Sequence, residues 1–154
     1  MNRNFILSVL VLLATLSMVN AIPNQLYKRA TIFRQCYDKY LPEIIVLQVA
    51  ISPDPVVAGQ NDTFTITGTF RDEITTGHKV AVQFVNPPHV TLFYEELCNY
   101  TKCPIPAGTE MIAKVPVPVP ASFPTTNYYI EVSIASAPKE SPSQLAGCAM
   151  TEVK

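Results

Sequence analysis

Histidine occurs only twice in this 154-residue chain, at His78 and His89. The two are not spaced as a metal pair, and each falls in a loop or at the start of a strand-like run. No G-x-S-x-G nucleophile elbow is found, and no phosphate loop or dinucleotide fingerprint. The adjacent carboxylates Asp72-Glu73 and Glu95-Glu96 do not form an acid–base pair, because neighbouring strand residues point to opposite faces. They read as solvated turn residues. The chain is therefore expected to be no enzyme, with no cofactor and no metal.

Long apolar runs are also missing, with one exception. Arg3 precedes an almost unbroken apolar stretch from Phe5 to Leu16, and Val19-Asn20-Ala21 follows. This is the pattern of a signal peptide over 1–21, with small or tolerated residues at the cleavage site. The run is shorter than the roughly 20 residues a membrane-spanning helix needs. The dibasic pair Lys28-Arg29 marks a second cut, making 22–29 a propeptide and 30–154 the mature domain. The expected location is the secretory pathway, ending outside the cell or in a vacuolar or lysosomal lumen.

Basic charge is scarce in that mature part. Eight Lys and Arg face twelve Asp and Glu, a net charge of −4. Nucleic-acid binding needs a basic footprint, so that partner class is excluded. Contact with an anionic membrane would have to use a local patch.

Outside the signal segment no stretch sustains a helical period. Strand patterns take its place. Asp62 to Phe70 puts Phe64, Ile66, Gly68 and Phe70 on one face and four threonines on the other, a strict period of two. Ile44 to Ser52 aligns Ile45, Leu47, Val49 and Ile51, and Lys79 to Val85 aligns Val80, Val82 and Phe84. Thr91 to Glu95, Thr109 to Val117, Asn127 to Ala135 and Gln144 to Val153 supply four more. Proline- and glycine-bearing turns separate them. Seven short strands so spaced indicate a sandwich or barrel. Val115-Pro116-Val117-Pro118-Val119-Pro120 must leave the sheet or follow an edge, since proline cannot donate to a ladder. It reads either as an edge strand with a proline-rich exit or as the rim of an apolar cavity.

Four cysteines, Cys36, Cys98, Cys103 and Cys148, read as disulfides in an oxidising compartment. Three pairings exist. Cys98 with Cys103 suits a small loop, and Cys36 with Cys148 would tie the chain ends together. A zinc site is the rival reading, but paired C-x-x-C clusters are lacking. Asn61-Asp62-Thr63 and Asn99-Tyr100-Thr101 are glycosylation sequons, so Asn61 and Asn99 are expected at the surface.

Several of these residues together resemble the ML lipid-recognition family, which includes the Niemann–Pick type C sterol-transfer protein, fungal phosphatidylglycerol/phosphatidylinositol transfer proteins and mite group-two allergens. The resemblance runs from about Cys36 to Val153. It is carried by Ile51-Ser52-Pro53-Asp54-Pro55 with Gly59-Gln60-Asn61, by Cys98 with Cys103-Pro104-Ile105 and Gly108, by Phe123-Pro124, and by Cys148. The third disulfide of the sterol-transfer relatives is missing, as is tryptophan. The match therefore leans toward the fungal phospholipid-transfer branch.

The resemblance implies an all-β immunoglobulin-like sandwich whose two sheets splay around an apolar cavity. Alternation then places Phe64, Ile66, Phe70, Val80, Val82 and Phe84 inward. Met111, Ala113, Val115, Val117, Ile130, Val132 and Ile134 lie across the gap. The family's entrance valine falls on Val117 or Val119, and Phe123 and Pro124 are carried over as entrance residues. The implied function is transfer of phosphatidylglycerol or phosphatidylinositol, or of sterol, between membranes by a monomer in transient membrane contact. Lys102 and Lys114 are candidate head-group cations. The alternatives are a non-enzymatic recognition module of immunoglobulin type and an activator that presents lipid to another protein.

Overall fold

Inner and outer residues alternate without a break from Asn61 to Thr69, with Asp62, Phe64, Ile66 and Gly68 buried, Thr63, Thr65 and Thr67 half-exposed and Thr69 exposed. The same segment forms the centre of a three-stranded sheet. The computed structural model describes residues 30–36, 44–136 and 145–153. The signal segment and the dibasic site lie outside them. Among the described residues there are eight strands: β1 Ile45–Val46, β2 Gln48–Ser52, β3 Asn61–Thr69, β4 His78–Asn86, β5 His89–Glu96, β6 Glu110–Pro118, β7 Tyr128–Ser136 and β8 Leu145–Val153. A three-residue 3-10 turn, Leu97–Asn99, follows β5.

Two sheets form the sandwich, one in the order β1-β8-β7-β4-β5 and the other in the order β2-β3-β6. Each of the seven expected strands is found, and the first is divided. Ile45 and Val46 pair with Gly147 and Cys148 in parallel. Two residues later Gln48 to Ser52 pair antiparallel with β3 in the other sheet. Leu47, fully buried, marks the switch, and its amide still bonds the Cys148 carbonyl at 3.3 Å. A single inward face runs through the crossing, so the alternation is unbroken although the partner sheet changes.

The valine–proline run resolves as an edge. β6 is the outer strand of its sheet. Val115, Val117 and Val119 are buried, while Pro116 and Pro118 are exposed. The prolines stand opposite Thr63 and Asn61. Their missing donors are tolerable only where the N–H side faces solvent.

Both disulfides pair as read from the sequence. Cys36–Cys148 bridges 112 residues, and Cys98–Cys103 bridges five. The zinc reading falls, since all four sulfurs are used. Next to the long bridge, Arg34 and Met150 exchange two backbone hydrogen bonds of 2.7 Å. Far from it, the amide and carbonyl of Ile74 pair with those of Ile105 at 3.0 and 2.9 Å.

Candidate functional site

Inner-face side chains from both sheets merge into one apolar cluster. Phe64, Ile66, Val80, Val82, Phe84, Met111, Ala113, Val115, Val117, Ile130, Val132 and Ile134 are all buried in it, with Phe70 and Val119 at its margins. Every apolar residue assigned inward by alternation is therefore on the inter-sheet face.

The cluster has two unlike ends. At one end lie the loop after β3 and the small disulfide loop. At the other, β3 begins, β6 and β8 end, and the loops 53–60 and 119–127 meet. This second end is aromatic. Phe64 and Phe84 meet edge-on across the sheets at 6.1 Å. Phe123, half-buried on its loop, packs against Phe84 at 5.0 Å and Tyr128 at 4.6 Å. Such contacts contribute beyond area burial alone. Pro124 beside it is half-buried as well.

Backbone bonds clasp the two loops together. The Gly59 amide donates to the Val119 carbonyl at 3.1 Å, and the Val119 amide to Gln60 at 2.8 Å. The Phe123 amide closes a turn onto Pro120 at 3.0 Å. Asn127 enters β7 at φ 59°, a left-handed conformation that asparagine tolerates better than most residues.

Two carboxylates, Asp54 and Asp62, lie at this end. Asp54 accepts from the Thr31 amide at 2.7 Å and from the Thr31 hydroxyl. Asp62 is 0% exposed and shares the inward face of Phe64. Its Oδ2 accepts from the Val57 amide at 2.7 Å. Its Oδ1 finds no partner among the described residues. Burial pushes the Asp62 carboxyl above its ordinary range, opposed by the Val57 hydrogen bond. Burial, with the Asp54 charge, likewise raises the Tyr128 phenol.

The candidate cations do not join this end. Lys114 projects from the exposed face of β6, because the alternation that buries Val115 turns its neighbour outward. Lys102 is exposed in the small disulfide loop at the opposite end. Asn61 and Asn99 are both exposed, Asn61 beside the aromatic end and Asn99 away from it. Asp62 and Tyr128 were missed as site residues. Parity with Phe64 and with Ile130 is the signal that places them inward, whereas their polar groups read as surface chemistry.

Known proteins resemble this chain in sequence, and one solved structure resembles it in fold. A phosphatidylglycerol/phosphatidylinositol transfer protein of Candida albicans is 36% identical over 89 residues, covering 54% of this chain and 46% of that one. A protein of the same name from Debaryomyces hansenii is 33% identical over 103 residues, 62% of this chain and 52% of its own. The chain thus spans about half the length of these relatives. An MD-2-related lipid-recognition protein of Arabidopsis thaliana is 35% identical over 99 residues, 62% of each chain. Chicken MD-1, solved in complex with lipid IVa, superposes with a TM-score of 0.51 at 15% identity, covering 77% of this chain and 85% of that one. That likeness speaks for the fold. The family model described as the ML domain matches residues 30–154, and the chain belongs to that family.

Proposed function

We propose that the protein carries phosphatidylglycerol or phosphatidylinositol between membranes, without catalysis, as a monomer in an oxidising lumen or outside the cell. The observation that carries this reading is the continuous apolar face between the sheets. It ends in the packed Phe64, Phe84, Phe123 and Tyr128 rings, of which Phe123 is half-buried. Relatives bearing the transfer-protein name support the lipid class, and the two disulfides suit an oxidising compartment.

The energetics fit a carrier. Each buried CH₂ gains about 0.8 kcal/mol relative to water, so a single acyl chain supplies on the order of 12 kcal/mol. A bilayer offers the same gain. Exchange between protein and membrane is then near neutral, and both uptake and release remain accessible. In this reading Phe123, with Pro124 and Val119, forms the mouth. Val90 and Leu92 on the outer face of β5 are exposed. They give a local apolar patch for transient membrane contact.

A second reading is a recognition module of immunoglobulin type. The completely buried state of Phe64, Ile66, Val82 and Ile130, as in an ordinary filled core, favours it. Transfer of fluorescent phosphatidylglycerol between vesicles separates the two. A carrier accelerates transfer above the protein-free rate and co-purifies with lipid. Absence of both leaves the recognition module. Phe123→Ala should lower the transfer rate while the protein stays folded by circular dichroism.

A further inference from the structure

Buried polar atoms are almost always hydrogen-bonded, and Asp62 breaks that rule in one atom. Its side chain is 0% exposed. Oδ2 is used by the Val57 amide at 2.7 Å, which accounts for a loop-closing role. Oδ1 has no partner among the described residues, and loop closure does not account for it. Asp62 sits on the inward face one step outside Phe64 and opposite Val117. On the carrier reading, the apolar part of a ligand between the sheets ends near this position and its polar part begins. An ionised carboxylate accepts hydrogen bonds and cannot donate them. It takes a hydrogen-bond donor, and the polyol heads of the lipids in the carrier reading offer only hydroxyls.

Resting on the lipid-carrier reading, we propose that Asp62 determines specificity at the mouth by accepting a hydrogen bond on Oδ1 from a hydroxyl at the polar end of the bound lipid. That hydroxyl has two sources, the polyol head of a phospholipid or the hydroxyl of a sterol. The chemistry is the same for both. A lipid whose polar end carries only an ether or ester oxygen leaves Oδ1 unmatched.

Two matched pairs of lipids test this on the full protein in mildly alkaline buffer. Dioleoylphosphatidylglycerol is compared with dioleoylphosphatidylmethanol, which keeps the charge and loses the hydroxyls. Cholesterol is compared with its 3-methyl ether. The protein should prefer the hydroxyl member of one pair by about tenfold or more, and that pair identifies the source. Asp62→Asn keeps the Val57 bond through its amide oxygen and places an N–H donor where Oδ1 was. Its preference should collapse toward parity, with the ether or methyl ester bound as well as before or better. Asp62→Leu should show no preference, and if it does not fold, the Asn variant decides. Binding of lipids without preference for the hydroxyl, or an unchanged preference in both variants, overturns the proposal and leaves the carrier reading standing. Failure to bind any of the four lipids overturns both.

Discussion

Leu47 packs where two glycines leave room for it. A Cβ at Gly147 would lie 2.7 Å from Leu47 Cδ2, and one at Gly68 would lie 3.0 Å from the same atom. Gly147 belongs to one sheet and Gly68 to the other, so one leucine side chain joins both. Leu47→Ala should cost about 2–5 kcal/mol in chemical denaturation. Gly147→Ala should cost about 1–3 kcal/mol from overpacking. The two changes should be strongly non-additive, because the smaller residue 47 vacates the space that the new methyl enters. The sequence showed Leu47 as inward-facing. It did not show the glycine contacts, which depend on three segments far apart in the chain.

Asp62 has a pH signature independent of any ligand. Its folded carboxyl holds a proton more tightly than the unfolded chain does, through burial. Stability is then greatest where the proton is bound, and falls as pH rises from the unfolded value through the raised folded one. Asp62→Asn removes this loss. The variant should be more stable than the parent at neutral pH, and their denaturation midpoints should converge as pH is lowered. A parent that loses stability relative to the variant on acidification would contradict this. Glu96 has the opposite sign. Its carboxylate is held below its usual range, first by the hydrogen bond from Lys79 at 2.5 Å and then by the Gly77 amide.

At the scale of elements, β6 shows what its prolines do. An edge strand offers unpaired donors and acceptors to any other edge. Pro116 and Pro118 remove two donors from the free side of β6. Replacing both by threonine should leave the fold intact and produce concentration-dependent association by analytical ultracentrifugation. That the run is an edge was legible because proline is confined to edges. The division of the first strand was not, since no glycine or proline marks Leu47 and the period of two continues through it. The parallel pairing of β1 with β8 was equally hidden, because pairing partners are set by the far end of the chain. The Cys36–Cys148 bridge lies beside that pairing. Cys36→Ser should destabilise by about 2–5 kcal/mol, and an unchanged thermal midpoint would show that the bridge does not hold this edge. In the candidate site, alternation identified the buried inter-sheet residues, and the resemblance pointed to Phe123, which packs on Phe84 and Tyr128. The acid was hidden inside a sequon, where Asp62 reads as a surface residue until its parity with Phe64 is followed.

At the scale of the molecule, the two long sides of the sandwich are built differently. Along one side the chain itself passes from sheet to sheet at Leu47. The Arg34–Met150 pair, the Cys36–Cys148 bridge and the hydrogen bonds from Thr31 to Asp54 lie along the same side. Along the other side run β5 and β6, the outer strands of their sheets. The chain between them carries the small disulfide loop and the pairing of Ile74 with Ile105, at the end away from Phe123. The molecule is laid out like a bound book, with its spine at β1 and β2 and its fore-edge at β5 and β6, stitched at the bottom corner and spanned at the top by the long loop 119–127. Parting the leaves at the top of the fore-edge disturbs side-chain contacts, whereas parting them at the spine would break backbone hydrogen bonds and a covalent bridge. On the carrier reading proposed above, hydrogen exchange with and without lipid should register that asymmetry, with protection changing in β5, β6 and residues 119–127 and staying constant in β1, β8 and residues 31–36. On that same reading, a lipid of greater girth calls for a wider page angle and not for a wider spine.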